Sequence, residues 1–340
     1  MGQHGPPHRA RQGRTDRTAD RPVDEHTLFN GWSTGKGLAA TVVHVLAEYG
    51  RLGYDVPVAE YWPEFGAHGK SGITLAHVLT HTAGVPLAPP GLTLGDLRDW
   101  DATCAGVADL RPLWAPGAVT AYHALTFGHI VGETVRRATG RTIAQVLREE
   151  VAAPLGVDGE LFFGVPEEHL PRVARLEDGG WAGALAARPA DSMFFQAAPA
   201  ALQADAELGN RAEYLTADVP CAGTMTAQAL ARMFAALIGE VDGVRLISAA
   251  RAATVATVVI AEADRVLGGP VPKGLGYFLG LPEMPPGAFG SKGSGGSGAF
   301  ADPAGRFSFA FTHNRLTAPS GDNAARAVGV IRSALGMADR

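Results

Sequence analysis

Ser33 and Lys36 stand three residues apart, so that on a helix a hydroxyl and an amine share one face. The apolar residues Leu38, Val42, Val45 and Leu46 recur at i, i+4, i+7 and i+8, which predicts an amphipathic helix that Gly50 ends. Ser33 would open it, where first-turn N–H groups and the dipole favour developing negative charge. A hydroxyl is a weak nucleophile until a neighbour takes its proton, and an amine shielded from water suits that task. The chemistry implied is attack of Ser33 on a carbonyl. Serine is also a favoured N-cap, but a cap alone leaves the lysine unexplained, because a cation in the first turn opposes the dipole. The chain has only four lysines, Lys36, Lys70, Lys273 and Lys292. Against its ten serines, chance places a lysine three after a serine roughly 0.1 times.

The same stretch, Gly31-Trp32-Ser33-Thr34-Gly35, fits a second pattern, the G-x-S-x-G turn of α/β-hydrolases. That turn needs a buried strand before it and a sheet beneath, whereas the residues ahead of Ser33 are polar. Ser33 is the candidate nucleophile in both readings.

Two further stretches carry chemistry. Tyr122 follows the Pro116-Gly117 turn and is expected to enter a helix with Phe127, Ile130, Val131 and Val135 on one face. A buried tyrosine is usually a packing residue, but beside an ammonium its phenol ionises more easily and can then accept a serine proton. Residues 290–296, Gly-Ser-Lys-Gly-Ser-Gly-Gly, read either as a flexible linker or as a strand that something approaches closely. In the second case an edge strand would align substrate and supply an oxyanion donor. His81, His123, His129 and His313 are scattered without metal spacing, and Cys104 and Cys221 are too few for a disulfide framework. No metal or organic cofactor is expected.

The positioning elements follow from pattern. The first 22 residues, arginine-rich and without period, read as a disordered tail. Helices are expected over 73–82 with Thr74 as cap, from Tyr122 to Gly140, from a Thr142 cap through Leu147, and over 226–238. Strand-like runs occupy 275–281, 289–301 and 307–311, with a turn at Asp302-Pro303-Ala304-Gly305. A last helix carries Ala325, Val328, Ile331 and Leu335. A chain of 340 residues, 46% hydrophobic and 19% charged, can bury a large core. A net charge of −5 leaves no basic footprint for nucleic acid. No apolar run reaches membrane-spanning length, and a cytoplasmic protein is expected.

Taken in order, these elements resemble the serine β-lactamase and penicillin-binding-protein superfamily, and within it the class C-like branch that includes the family VIII carboxylesterases. The Ser-x-x-Lys motif is Ser33-Thr34-Gly35-Lys36, the tyrosine motif is Tyr122-His123-Ala124, and the third motif falls at Ser291-Lys292-Gly293. Segments 73–84 and Pro154-Leu155-Gly156 add to the likeness, which covers roughly residues 20 to 335. The resemblance implies a mixed α/β fold: an antiparallel sheet flanked by helices, with an inserted helical domain. The α/β domain would comprise 23–60 and 235–340, and the helical domain 61–234. Ser33 would be acylated, Lys36 and Tyr122 would share the proton work, and the amides of Ser33 and Ser294 would form the oxyanion hole. Ser291, Lys292, Gly293 and Ser294 would bind substrate.

Departures sharpen the expectation. Ala124 stands where class C β-lactamases have asparagine, and Ser291 where they have lysine. Both weaken β-lactam recognition and favour ester hydrolysis or acyl transfer on a small-molecule ester or amide substrate. Hydrolysis is expected, with acyl transfer from the same intermediate or ligand binding without catalysis as alternatives. Residues 158–220 would shape the acyl pocket, with Met193-Phe194-Phe195 pointing to an apolar acyl group. Nothing before Thr27 resembles the strand pair with which such proteins usually begin, so the expectation is either a true start upstream or a sheet short by two strands.

Overall fold

The helix after Ser33 runs from Gly35 to Glu48 (α1), and it is buried on every face from Gly35 to Ala47 rather than along one stripe. Small residues explain the difference. Gly35, Gly37, Ala39, Ala40 and Thr41 let neighbours approach the sides that the large apolar residues leave open. Gly50 ends the helical run at φ +69, a left-handed position that costs glycine little. The computed structural model describes residues 13–16, 21–319 and 323–334.

Further helices that place the site are Leu75–Leu79 (α2), Trp100–Asp109 (α3), Thr126–Thr139 (α4), Ile143–Val146 (α5), Met193–Ala197 (α6), Ala227–Ile238 (α7) and Asn323–Ala334 (α8). Their starts follow the expected chemistry. The Thr74 hydroxyl accepts from His77 N, that of Thr142 from Gln145 N, and that of Thr226 from Ala229 N. α4 ends on Gly140 in the left-handed conformation. It begins at Thr126, however, so Tyr122 lies in an irregular loop ahead of it. Tertiary acceptors claim the loop's amides: Ala121 N donates to the His81 carbonyl, and Tyr122 N to the Asp264 carboxylate.

Near the N-terminus two short strands, Arg14–Asp16 (β1) and Arg21–Pro22 (β2), pair antiparallel where a tail without structure was expected. Alternation did not betray them because tertiary partners hold them. Arg175 N donates to the Thr15 carbonyl, and Arg21 reaches the carbonyls of Pro171 and Val173. The rest of the expected tail lies outside the described residues. Short strands follow at Phe29–Asn30 (β3), Leu161–Phe162 (β4), Glu177–Gly179 (β5), Thr224–Met225 (β6), Ala263–Asp264 (β7) and Gly269–Pro270 (β8). β6 lies between β3 and β4 in a three-stranded sheet that leads into Ser33.

The larger antiparallel sheet has the order β12-β11-β10-β9, from Phe278–Leu279 (β9), Phe289–Lys292 (β10), Gly298–Asp302 (β11) and Phe307–Phe311 (β12). The single run expected over 289–301 is two strands, because a 3-10 turn at Ser294–Gly296 reverses the chain. β10 is also not an edge strand. It pairs with β11 throughout, and with β9 at Phe289 and Gly290, so only Ser291 and Lys292 are open on that side. Among the described residues no N-terminal strand joins this sheet; β1 and β2 form a sheet of their own.

The main core runs continuously from α1 through α2, α4 and α7 to Leu279, Phe289 and Ala299 of the sheet. The boundary expected between residues 234 and 235 falls inside α7. That helix packs as a unit on the sheet, with the Ser308 hydroxyl of β12 donating to the Ala231 carbonyl.

Candidate active site

Ser33 is delivered by a strained turn. β3 pairs with β6, and between them the chain is clamped twice: Gly31 N donates to the Gly223 carbonyl, and Gly223 N to that of Trp32. Trp32 is held at φ +48, an uncommon region for a bulky side chain, while its N–H donates to Asn30 Oδ1. Ser33 itself sits in the 3-10 turn Trp32–Thr34 that leads into α1, and its hydroxyl makes no capping bond. The capping explanation of this serine therefore does not hold.

Lys36 lies one turn on, buried at 4% exposure. Its Nζ is 3.2 Å from Ser33 Oγ, 2.9 Å from the Ala124 carbonyl and 3.0 Å from that of Cys221. Gly35 makes the last contact attainable. A Cβ there would fall inside the backbone of Ala222 and Gly223, so only glycine lets the head of α1 lie on this loop. Lys36 Nζ also stands 4.7 Å from the centroid of the Tyr122 ring. Tyr122 is buried, and its hydroxyl makes no hydrogen bond with any described residue.

The Ser291–Ser294 segment divides its roles. Ser291 is buried, its hydroxyl donating to the Thr34 carbonyl at 3.1 Å, so it braces the turn beneath Ser33. The Lys292 side chain pairs with Glu283 at 2.9 Å. At Gly293 a Cβ would collide with the Gly31 carbonyl, so the close approach is made by backbone. Thr34 Oγ1 donates to the Ser297 carbonyl at 2.9 Å, and Gly293 N to the same oxygen at 2.8 Å. Ser294 thereby opens its 3-10 turn beside the Ser33 turn, and each serine contributes a first-turn amide. A cleft opens here, lined among others by Ser33, Lys36, His81, Lys273, Phe278 and Ser291. The apolar side chains of Trp114, Met193, Phe194 and Leu267 gather around Tyr122 and Phe278.

The histidines pack among buried and aromatic neighbours. His81 Nδ1 accepts the His123 N–H, and burial, reinforced by His123, Lys273 and Lys36, pushes its basicity well down. His123 is held down to about 4 by burial, with Nδ1 bonded to the Ala121 carbonyl and Nε2 accepting from Val85 N. His129 is likewise buried, and His313 packs on Phe311. Among the described residues no group of His, Cys, Asp or Glu is arranged to hold a metal.

Sequence reasoning missed Asp264 and Lys273. Both are fully buried beside the cleft and paired at 3.0 Å. The available signal was the scarcity of lysine in an arginine-rich chain.

Against known proteins, the beta-lactamase family model matches residues 2–332. The chain belongs to the beta-lactamase family. Among curated proteins it is 38% identical to Esterase/beta-lactamase LipL of Mycobacterium tuberculosis, over 91% of this chain and 74% of that protein. Among solved structures it resembles a family VIII carboxylesterase with a TM-score of 0.85 and 34% identity, covering 96% of this chain and 88% of the other. It also resembles a penicillin-binding protein homologue from Caulobacter crescentus, with a TM-score of 0.83, 33% identity and the same coverage. This family member is thus a serine-hydrolase-type enzyme with the mixed α/β fold of the β-lactamases and penicillin-binding proteins. No described helix is long and apolar enough to cross a membrane.

Proposed function

We propose that this enzyme hydrolyses small esters through a covalent acyl-enzyme on Ser33. The observation that carries the reading is Lys36 Nζ, 3.2 Å from Ser33 Oγ and anchored on two backbone carbonyls. Two of its hydrogens satisfy Ala124 and Cys221 in either protonation state. The third position faces Ser33 and holds either a lone pair or a proton in transit. Ser33 Oγ attacks the ester carbonyl while its proton passes to the Lys36–Tyr122 pair. The amides of Ser33 and Ser294 stabilise the oxyanion. Collapse breaks the ester C–O bond, and the departing alcohol takes the proton from Tyr122. Water then repeats the sequence on the acyl-enzyme and releases the acid.

Neutral apolar esters fit best. Ser291 turns its hydroxyl to Thr34, Lys292 pairs with Glu283, and the apolar cluster beside Tyr122 offers an acyl group a dry surface. The family and the relative named esterase/beta-lactamase support ester chemistry. The test is intact-protein mass spectrometry after brief exposure to p-nitrophenyl butyrate. A butyryl adduct mapped to the Ser33 peptide and absent from Ser33→Ala is the expected result. Folded protein that shows neither adduct nor nitrophenol release would instead favour ligand binding without catalysis. An adduct whose turnover rises with added alcohol, yielding a new ester, would favour acyl transfer.

A further inference from the structure

A buried ion pair is expensive to form, and a well-packed apolar pair in its place is commonly as stable. Asp264 and Lys273, at 0% and 1% side-chain exposure, therefore need a reason other than stability. Asp264 Oδ1 accepts three backbone N–H groups: Tyr122 at 3.0 Å, Val266 at 2.9 Å and Leu267 at 2.9 Å. Its Oδ2 takes the Lys273 ammonium at 3.0 Å and the Thr120 hydroxyl at 3.5 Å. Lys273 lines the cleft, yet its Nζ is spent on Asp264, the Thr120 hydroxyl at 3.1 Å and the Val271 carbonyl at 3.2 Å. It therefore has no hydrogen left for a substrate.

The loop that carries Tyr122 has no helix or strand to fix its backbone. Its order comes from three successive amides, each with a different acceptor. Ala121 N donates to the His81 carbonyl at 3.0 Å, Tyr122 N to Asp264, and His123 N to His81 Nδ1 at 3.1 Å. His81 is itself held at φ +60 to present both acceptors. Of the three amides, that of Tyr122 sets the direction of its Cα–Cβ bond, and so where the phenol stands relative to Lys36. We infer that Asp264 is a positioning residue for Tyr122, holding its ring beside Lys36, whose Nζ stands 4.7 Å from the ring centroid, and that Lys273 is the counter-ion that allows a carboxylate to occupy that place. The inference rests on the reading that Tyr122 hands a proton to the departing alcohol.

The test separates aim from fold by leaving-group chemistry. An alkyl alkoxide needs a proton to depart, whereas p-nitrophenolate scarcely does, so a misplaced proton donor harms the alkyl ester more. kcat/KM is measured on ethyl butyrate and on p-nitrophenyl butyrate. In Asp264→Ala/Lys273→Met, which removes the acceptor without stranding a charge, it should fall about 100-fold on the ethyl ester and far less on the nitrophenyl ester. Asp264→Asn/Lys273→Met, which keeps an oxygen for the Tyr122 amide, should retain wild-type rates on both. Tyr122→Phe should show the same ester preference, and adding the Asp264→Ala/Lys273→Met change to it should cost nothing more. Equal losses on the two esters, a multiplicative loss in the Tyr122→Phe background, or failure of the asparagine variant to rescue would overturn the inference. Should the alanine variant not fold, Asp264→Glu moves the acceptor by one methylene while keeping the charge pair. It should show the same ester-dependent loss, and wild-type rates on both esters would overturn the proposal. Tyr122→Phe at full rate on both esters would instead remove the underlying reading of the site.

Discussion

At the residue scale the site turns on how one amine is bonded. Lys36 Nζ has three acceptors, two of them backbone carbonyls that cannot rotate away. The amine therefore keeps its place whether or not it carries the third proton. Arginine at this position would keep a cation but never release a proton at working pH, and its fork does not match the two carbonyls. Lys36→Arg and Lys36→Ala are both expected to lower kcat/KM on p-nitrophenyl butyrate by about 1000-fold. Replacing His129 or His313 with glutamine should cost far less. A histidine variant as inactive as Lys36→Ala, measured on folded protein, would restore the G-x-S-x-G reading.

At the element scale the site depends on close backbone approach. α1 touches the 220–223 loop through Gly35, and the 293–297 turn touches the Ser33 turn through Gly293. A methyl at residue 35 must push Ala222 away, and with it the Cys221 carbonyl that anchors Lys36. Gly35→Ala is expected to cost about 1–3 kcal/mol in a urea titration and to lower kcat in the molecules that still fold. Full activity in that variant would show that the loop yields without moving Lys36. Lys70 illustrates a lysine of another kind. Its Nζ donates to the carbonyls of Ala67, Ala108 and Leu110, tying the end of α3 to the preceding turn, and burial lowers its basicity. Lys70→Met should destabilise by roughly 3 kcal/mol, since three carbonyls lose their donor, while activity per folded molecule stays unchanged.

At the scale of the whole molecule, burial of imidazoles links stability to pH. His44, His123 and His129 are driven down to about 3, about 4 and about 4, mainly by burial, and His81 follows. The unfolded chain protonates its histidines near 6.5, whereas the folded chain resists until near 4. Stability should therefore be level above pH 6.5 and fall as the pH drops below it. His44, His123 and His129 each contribute roughly 3 kcal/mol of loss once the folded value is reached. Asp218 acts in the opposite sense. Burial raises its carboxyl to about 6, so its contribution to stability is present at low pH and is lost as the pH rises through that value. With several imidazoles against one carboxyl, the urea midpoint should fall between about pH 6.5 and about pH 4.5. A midpoint that rises over that interval would contradict the neutral, structural assignment of these histidines.

Much of this was legible in the sequence because it is local. The Ser33–Lys36 spacing, the existence of α1, the caps at Thr74 and Thr142, and the alternating Phe307, Phe309 and Phe311 each depend on neighbours within a turn or a strand. Tertiary structure alone decided the rest. Tyr122 reads as the start of a helix, but acceptors from residues 81 and 264 claim its loop. Residues 289–301 read as one strand, but the glycines between them turn the chain back beside Ser33. β1 and β2 carry no pattern of their own and are held by partners more than a hundred residues away. Asp264 and Lys273 look like any surface pair until the fold excludes water from both. The sequence by itself determined which groups stand one helical turn apart, because spacing along a helix is a property of the chain. Where those groups point was decided by backbone hydrogen bonds and glycine contacts between distant segments, which exist only once the core has closed.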